Sequence, residues 1–319
     1  MSSTNTNRST STDQDELAEI IQGLNQPEKM ISPKYFYDER GSQLFDAITH
    51  LPEYYPTETE LDIMRDNIVE IVKLVGPHAS LIEFGSGSSR KTRILLENLS
   101  DLAVYVPVDI SEEHLLASAD SIRAEFPQLE VLPVVADFTQ SFALPDPKVM
   151  PLRNVVYFPG STIGNFTEEA ALELLEVMYA EAGADGALLI GVDLQKDPEV
   201  IERAYNDSAG VTAEFNLNVL RHLNREFGAD FAVDAFAHSA EYNEDENRVE
   251  LRLISSEDQD VSIGDKEIVI QKDETILTEY SHKYTIDGFA ALVERAGFTV
   301  AKAWTDADDL FSVQYCVHD

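Results

Sequence analysis

The chain has 319 residues, 44% of them apolar, and its 23 Lys and Arg against 59 Asp and Glu give a formal net charge of −36. That length and apolar share are enough to bury the core of one large domain or of two closely associated ones. The charge argues against nucleic-acid backbone or anionic membrane as a partner, since both attract clustered cations, and a single cysteine, Cys316, excludes an internal disulfide.

Residues 1–14 open Ser-, Thr- and Asn-rich without an apolar run. They read as a disordered tail rather than a signal peptide. No run approaches the roughly 18 apolar residues of a membrane span, and the expected location is the cytoplasm. Over 15–25, Leu17, Ile20, Ile21 and Leu24 share one helical face, and Pro27 ends the pattern. An aromatic and charged stretch at 34–42 leads into a short helix at 43–50. Pro52 and Pro56 stiffen 51–57, and Thr57 with Glu60 reads as a capping box for a helix over 58–75.

Strands and helices then alternate. Strands are expected at 80–84, 103–108, 131–135, 153–158 and 187–192, with helices at 91–99, 111–126 and 167–182. This order predicts a parallel sheet with helices on both faces and ligands at the carboxyl ends of its strands. The alternation breaks after Asp193. Residues 197–227 read as helices. Residues 238–255 and 267–283 read as antiparallel strands joined by an acidic turn at 256–260, with Val249, Leu251 and Leu253 opposite Glu250 and Arg252. A helix at 286–296 capped by Gly297 and strands at 299–305 and 310–317 resume the first style, with Cys316 a buried strand residue. The fold class is α/β: a Rossmann-like parallel sheet over 58–194 completed by 285–319. A second α+β domain comes from an insertion at 195–284 with the N-terminal segment 15–57.

Four features fall at successive strand ends. Glu83-Phe84-Gly85-Ser86-Gly87 is a strand entering a tight glycine turn that lets backbone approach a ligand. It lacks the Gly-Lys-Ser/Thr ending of a phosphate loop and the third glycine of a pyrophosphate site. It therefore suits a ligand without phosphates, such as S-adenosylmethionine. Asp109 can accept both hydroxyls of a ribose. Asp137 beside Phe138 fits a purine, one accepting from an amino group and the other stacking. The stretch 158–166 opens a strand into a glycine-rich turn at the site mouth. Singly, each has a plainer reading as a turn, a helix-start partner or a loop residue; their coincidence at one sheet edge favours one cofactor. Lys91 could meet a ligand carboxylate or a nearby acid. The histidines show no metal-ligand spacing, so no metal is expected.

The strings Tyr35-Phe36-Tyr37-Asp38-Glu39-Arg40-Gly41-Ser42, Pro52-Glu53-Tyr54-Tyr55-Pro56-Thr57-Glu58, Phe84-Gly85-Ser86-Gly87-Ser88-Ser89-Arg90-Lys91-Thr92 and Gly160-Ser161-Thr162-Ile163-Gly164-Asn165-Phe166 carry more specific information. Through them the chain, from about 32 to 317, resembles the histidine-specific N-α-methyltransferases. These S-adenosylmethionine enzymes make the trimethylated betaine of histidine on the route to ergothioneine. The resemblance implies a class I methyltransferase core with a substrate domain, S-adenosylmethionine as cofactor, L-histidine as substrate and a monomeric enzyme. It implies that Gly85, Lys91, Asp109, Asp137 and Phe138 hold the cofactor. Tyr55, Asn165 and Tyr205 would grip the α-amino and carboxylate groups, and Tyr37 would close near the amine, making Tyr37 and Asn165 the catalytic candidates. Glu279 and Ser281 would bind the imidazole, with Leu251 where characterised members can carry methionine beside the ring.

The residue types suit this chemistry. Methyl transfer needs an aligned nitrogen lone pair and exclusion of water more than a strong base, and Asn and Tyr orient an amine without a charge that keeps it protonated. A carboxylate such as Glu279 favours imidazole over an apolar ring. The alternatives are that Tyr37, Tyr54 and Tyr55 are core aromatics, that Tyr205 is a helix-packing residue and that Glu279 is a solvated strand residue beside Lys283. At the level of function, the acceptor could be another amino acid such as tryptophan, or the chain a nucleotide-binding regulatory module without turnover.

Overall fold

The computed structural model describes residues 6–86 and 90–318. In chain order its elements are α1 (Thr6–Leu24), β1 (Lys29–Met30), α2 (Glu39–Ile48), α3 (Tyr55–Val75), β2 (Ala79–Phe84), α4 (Arg90–Asn98), β3 (Val104–Asp109), α5 (Glu112–Glu125), β4 (Val134–Val135), β5 (Arg153–Phe158), α6 (Glu168–Ala182) and β6 (Ala187–Asp193). There follow α7 (Pro198–Tyr205), α8 (Val211–Glu226), β7 (Phe236–Asn243), β8 (Arg248–Ser255), β9 (Gln259–Ile263), β10 (Lys266–Ile270), β11 (Thr275–His282), α9 (Ile286–Arg295), β12 (Phe298–Thr305) and β13 (Phe311–His318). Short 3-10 turns occupy Pro33–Phe36 and Thr162–Asn165. The chain divides into two compact units: the described residues up to Tyr54 together with Asp197–Ser281, and Tyr55–Lys196 with the described residues from His282 onward.

The unit that begins at Tyr55 is built on a seven-stranded sheet in the order β12-β13-β6-β5-β2-β3-β4. The strands from β6 to β4 pair in parallel. β13 instead runs antiparallel to both β6 and β12, so the sheet is mixed at one edge. Strand residues alternate between two cores, as the two-residue period of a pleat requires. Ile82, Val156, Phe158 and Leu188 face Leu175 and Met178 of α6 and Phe289 of α9. Leu81, Val155, Tyr157 and Leu189 face Met64 of α3, Leu95 of α4 and Ile122 of α5. Cys316 on β13 is fully buried, and burial pushes its thiol up to about 12, far from the reactive range.

The other unit has a four-stranded sheet in the order β1-β11-β8-β7 and a separate β9–β10 hairpin. β8 buries Val249, Leu251 and Leu253 on one face, in the alternation its sequence predicts. Its helical core stacks Phe36 on Phe215 at 4.5 Å and packs Leu44 and Ile48 of α2 among Val219, Leu220 and Leu223 of α8.

Three local expectations fail for physical reasons. The helix α1 begins at Thr6 instead of near 15, so the expected tail is helical through much of its length, and residues 1–5 lie outside the described residues. No proline or glycine interrupts 6–22, so the helix extends upstream of its packed end. Helix α3 starts at Tyr55, with Pro56 in the first turn where a missing N–H has no intrahelical partner to lose. Thr57 is therefore inside the helix and no capping box forms; Glu60 turns inward and is fully buried. The expected turn at 256–260 is shorter, since Gln259 already opens β9, and the run 267–283 is broken into β10 and β11 around Asp273, whose φ is +65°.

Asp38 caps α2 and braces it to α8. Its carboxylate accepts from the Gly41 N–H at 2.6 Å, from Asn218 Nδ2 at 2.8 Å and from Arg225 at 2.7 Å. Burial opposes its charge, but Arg225, the Gly41 amide and Asn218 outweigh burial and hold the carboxyl below its usual range. Asp38→Ala should therefore destabilise this unit by about 2 kcal/mol, the sum expected for a lost cap and an orphaned amide. Chemical denaturation that gives the same midpoint for variant and parent would refute that bracing role.

Candidate functional site

The glycine turn closes the carboxyl end of β2. The N–H groups of Gly85 and Ser86 both donate to the Val108 carbonyl of β3, at 2.9 and 3.3 Å. Gly85 has φ +71°, a region open to glycine, and a Cβ there would stand 3.5 Å from the Phe138 ring. Ser86 Oγ is buried and has no hydrogen-bond partner among the described residues; Gly87, Ser88 and Ser89 lie outside them. Phe138, half-buried, packs on Phe84 and Phe158 with ring centroids 5.7 and 5.8 Å away. Asp109 ends β3, and its Oδ1 accepts from the Ser111 N–H at 2.8 Å. Burial raises the Asp109 carboxyl above its ordinary range. Asp137 is exposed and organised by Thr139, whose N–H and hydroxyl donate to Oδ1 at 3.0 and 2.7 Å. The sheet edge thus gathers the glycine turn, both aspartates and the aromatic ring, as the strand-end argument predicts.

Beneath this edge lie two buried carboxylates, Glu83 and Glu60, whose partners the sequence reading did not anticipate. Glu83, fully buried on β2, accepts from the Thr92 hydroxyl at 2.7 Å and from the Tyr105 hydroxyl. Burial pushes its carboxyl up to about 7, against the lowering effect of those two hydrogen bonds and of Lys91. Glu60 accepts the Gly160 N–H at 2.9 Å and pairs with the Lys91 ammonium. It also fills the space that a Cβ on Gly191 would need. Of the two partners open to Lys91 in sequence, the structure supplies the acid.

The turn after β5 has its own constraints. Ser161 adopts φ +56°, uncommon for a residue with a side chain, and its Oγ accepts from the Asp193 N–H at 2.9 Å. A Cβ on Gly164 would come 2.7 Å from the His282 carbonyl, while the His282 Nδ1–H donates to the Gly164 carbonyl at 2.9 Å. Asn165, half-buried, follows directly. Asp193, 1% exposed, ends β6 and receives three donors: Lys283 at 2.7 Å, Lys196 at 2.6 Å and the Tyr55 hydroxyl at 2.8 Å. Burial disfavours its charge, but the two ammoniums more than compensate and hold its carboxyl below the usual range. Asp193, Lys196 and Lys283 were absent from the sequence-derived candidates. Asp193 obeys the same strand-end rule as Asp109, and that was the available signal; the two lysines carried none.

In the other unit, the Tyr205 hydroxyl and Ser281 Oγ lie 2.7 Å apart, and both residues are buried. Behind them Asn216 Nδ2 donates to His238 Nδ1 at 2.9 Å, so His238 Nε2–H donates to the Tyr205 carbonyl at 2.9 Å. Burial lowers the His238 pKa, consistent with this neutral tautomer. The Asn216 amide oxygen accepts from Thr278 of β11 at 2.7 Å. Leu251 is fully covered, Glu279 is half-buried on β11, and Tyr37 is 42% exposed with edge contacts to Phe45 and Phe215. Tyr205 and Ser281 are thus brought together; Tyr55 and Asn165 belong to the unit that carries the cofactor candidates.

A seven-stranded sheet with an antiparallel strand inserted beside β6, and a glycine turn with acidic groups along its strand ends, defines a class I methyltransferase. Residues 16–318 match the model of the histidine-specific, S-adenosylmethionine-dependent methyltransferases, and the chain belongs to that family. It is 40% identical to the histidine N-alpha-methyltransferase of Mycolicibacterium smegmatis, over 94% of each chain. It is 39% identical to the protein of the same name from Mycobacterium tuberculosis, over 90% of each. Among solved structures, the PH0226 protein of Pyrococcus horikoshii aligns with a TM-score of 0.49 at 12% identity, over 89% of this chain and all of that one. Among the described residues no cluster of His, Cys, Asp and Glu could hold a metal ion, and no helix is long and apolar enough to cross a membrane.

Glu83 makes the stability of this unit depend on pH. Its folded-state pKa lies above its ordinary value of 4.5, so its contribution is fully present below that value and is lost as pH rises through about 7. Glu83→Gln keeps a hydrogen-bonding group without the titration. The melting temperature of the parent should fall more steeply between about pH 5 and pH 8 than that of the variant. Parallel curves would show that Glu83 does not titrate there.

Proposed function

We propose that the protein transfers methyl groups from S-adenosylmethionine to the α-amino nitrogen of L-histidine, three times in succession, giving the betaine hercynine at the start of ergothioneine biosynthesis. Family membership supports the reaction. The observation that carries the cofactor reading is the cradle at Gly85, where the missing Cβ leaves a gap against Phe138 beside the buried Ser86 hydroxyl, which has no partner among the described residues. In this reading Asp109 takes the ribose diol, Asp137 and Phe138 take the adenine, and Lys91, half-buried and already paired with Glu60, sits at the carboxylate. The cofactor supplies a methyl carbon made electrophilic by its sulfonium.

The protein then has to present a neutral amine and keep water away. Free α-amino groups are largely protonated near neutral pH, so the groups around the nitrogen must not reward the ammonium. Tyr55 and Asn165 meet that need with uncharged oxygens. The carboxylate that accepts from Tyr55, Asp193, is already engaged by two ammoniums, so it has little attraction left for a third cation. Tyr37 and Tyr205 offer rings against which the methylated cation can rest. The unit carrying Tyr205, Leu251, Glu279 and Ser281 acts as the substrate domain, with Glu279 and Ser281 binding the imidazole and Leu251 lining it. The enzyme works as a monomer in the cytoplasm.

Incubation of the purified protein with S-adenosylmethionine and a panel of the twenty amino acids, with product masses recorded, tests this directly. Histidine alone should gain three methyl groups; preferential methylation of another amino acid would overturn the assignment. In the same assay Glu279→Ala should raise the KM for histidine by about tenfold or more, the size of a lost charge-assisted contact. Any residual activity toward tryptophan should fall less. Equal losses for both acceptors would remove Glu279 from the imidazole site.

A further inference from the structure

Tyr55 is held from two sides by charged groups that neither the motif strings nor the expected site contains. Its hydroxyl donates to both carboxylate oxygens of Asp193, at 2.8 and 2.9 Å, and accepts from Lys196 Nζ at 2.7 Å. The same ammonium lies 4.5 Å from the centre of the Tyr55 ring and also donates to Asp193 Oδ1 and to the Leu194 carbonyl. Asp193 is in turn held by Lys283 and by its own N–H on Ser161 Oγ. Asp193 and the side chains of Lys196 and Lys283 are almost wholly buried.

This arrangement settles more than the position of a ring. A phenol has one proton to give. Here that proton is committed to a carboxylate, and the ammonium on the other side can only donate. Toward a ligand, Tyr55 therefore presents an oxygen that accepts and does not donate. A tyrosine at the start of a helix, left alone, could rotate its hydroxyl in either sense. Removing Lys196 would take away the donor that holds the hydroxyl oxygen and the ring from the other side, loosening the hydroxyl on Asp193, while leaving Asp193 its partner Lys283, so the buried carboxylate is not orphaned.

We propose that Lys196 is a positioning residue for the methyl-transfer reaction: it locks the Tyr55 hydroxyl onto Asp193 and thereby sets Tyr55 as a hydrogen-bond acceptor for the amino-acid substrate. Lys196 itself touches no substrate. The inference rests on the assignment of Tyr55 to the amino-acid site given under Proposed function. It adds two residues, Lys196 and Asp193, and a polarity for the Tyr55 hydroxyl.

A double-mutant cycle reads the link. The parent, Tyr55→Phe, Lys196→Met and the double variant would be compared by histidine affinity, measured by calorimetry on protein saturated with S-adenosylhomocysteine, and by kcat and KM. Lys196→Met should weaken histidine binding by about tenfold, the size of a misplaced hydrogen bond, with S-adenosylhomocysteine affinity unchanged. In the Tyr55→Phe background the same substitution should change histidine affinity by less than about twofold. Losses that multiply, or a Lys196→Met variant that binds histidine like the parent, would overturn the proposal. Lys196→Gln covers the case in which Lys196→Met does not fold. Its amide can still donate to the hydroxyl, so it should stay within about threefold of the parent, and a loss as large as that of Tyr55→Phe would count against the proposal. If the parent methylates a different amino acid, the substrate assignment fails, and the cycle run with that amino acid still decides the role of Lys196.

Discussion

A parallel sheet covered on both faces has nowhere to put polar chemistry except its ends. In the unit built on β2 to β6, residues alternate into two apolar cores with no solvated face between them. Each crossover helix returns the chain so that the next strand points the same way. Every strand-to-helix turn after β2, β3 and β5 consequently opens on one edge. Gly85, Asp109 and the Gly160–Asn165 turn share that edge because the cores leave them no other place. Once the edge is crowded, small residues become obligatory: Gly164 lies against the His282 backbone and Gly191 against the Glu60 carboxylate.

The same crowding puts acids where water does not reach, and the unit treats them in three ways. Glu83 is surrounded by neutral donors and responds by holding its proton up to about 7. Asp193 is surrounded by ammoniums and stays charged. Glu60 accepts from an ammonium and from a backbone amide, both at Oε2. A buried carboxylate with hydroxyl partners stiffens a turn, whereas one matched with lysines can organise a tyrosine without attracting a substrate cation. The distinction matters for an enzyme whose acceptor must arrive as a free amine. It also gives the acidic composition a second aspect: while most of the 59 acids are surface groups, a few are internal scaffolding for the loops.

The other unit uses neutral hydrogen bonds for the same end. His238, Asn216 and Thr278 form a chain of defined polarity behind Tyr205 and Ser281. No charge is buried in that chain, and the tautomer of His238 follows from its neighbours rather than from solvent pH. The two units thus hold their tyrosines by different means, Tyr55 with an ion cluster and Tyr205 with an amide–imidazole relay.

Much of this was legible before folding. Apolar runs at 80–84 and 153–158 could only be strands of a sheet buried on both faces, and both were observed with bounds shifted by no more than one residue. The alternation over 249–253 likewise gave the buried face of β8. These are local properties, set by side-chain period and by the conformational limits of glycine and proline. The chain order of elements then restricted the sheet to a few topologies and brought Gly85, Asp109, Asp137 and Phe138 to one edge. What the sequence could not express was partnership across long separations. Thr57 and Glu60 look like a cap when read three residues apart, yet Glu60 closes on Gly160 a hundred residues on. Lys196 and Lys283 are ordinary lysines in the string and become the flanks of Asp193 only when β6 and the segment after β11 are assembled. Charge pairing, tautomer and hydroxyl direction depend on the desolvation that packing creates, and packing is a property of the folded whole.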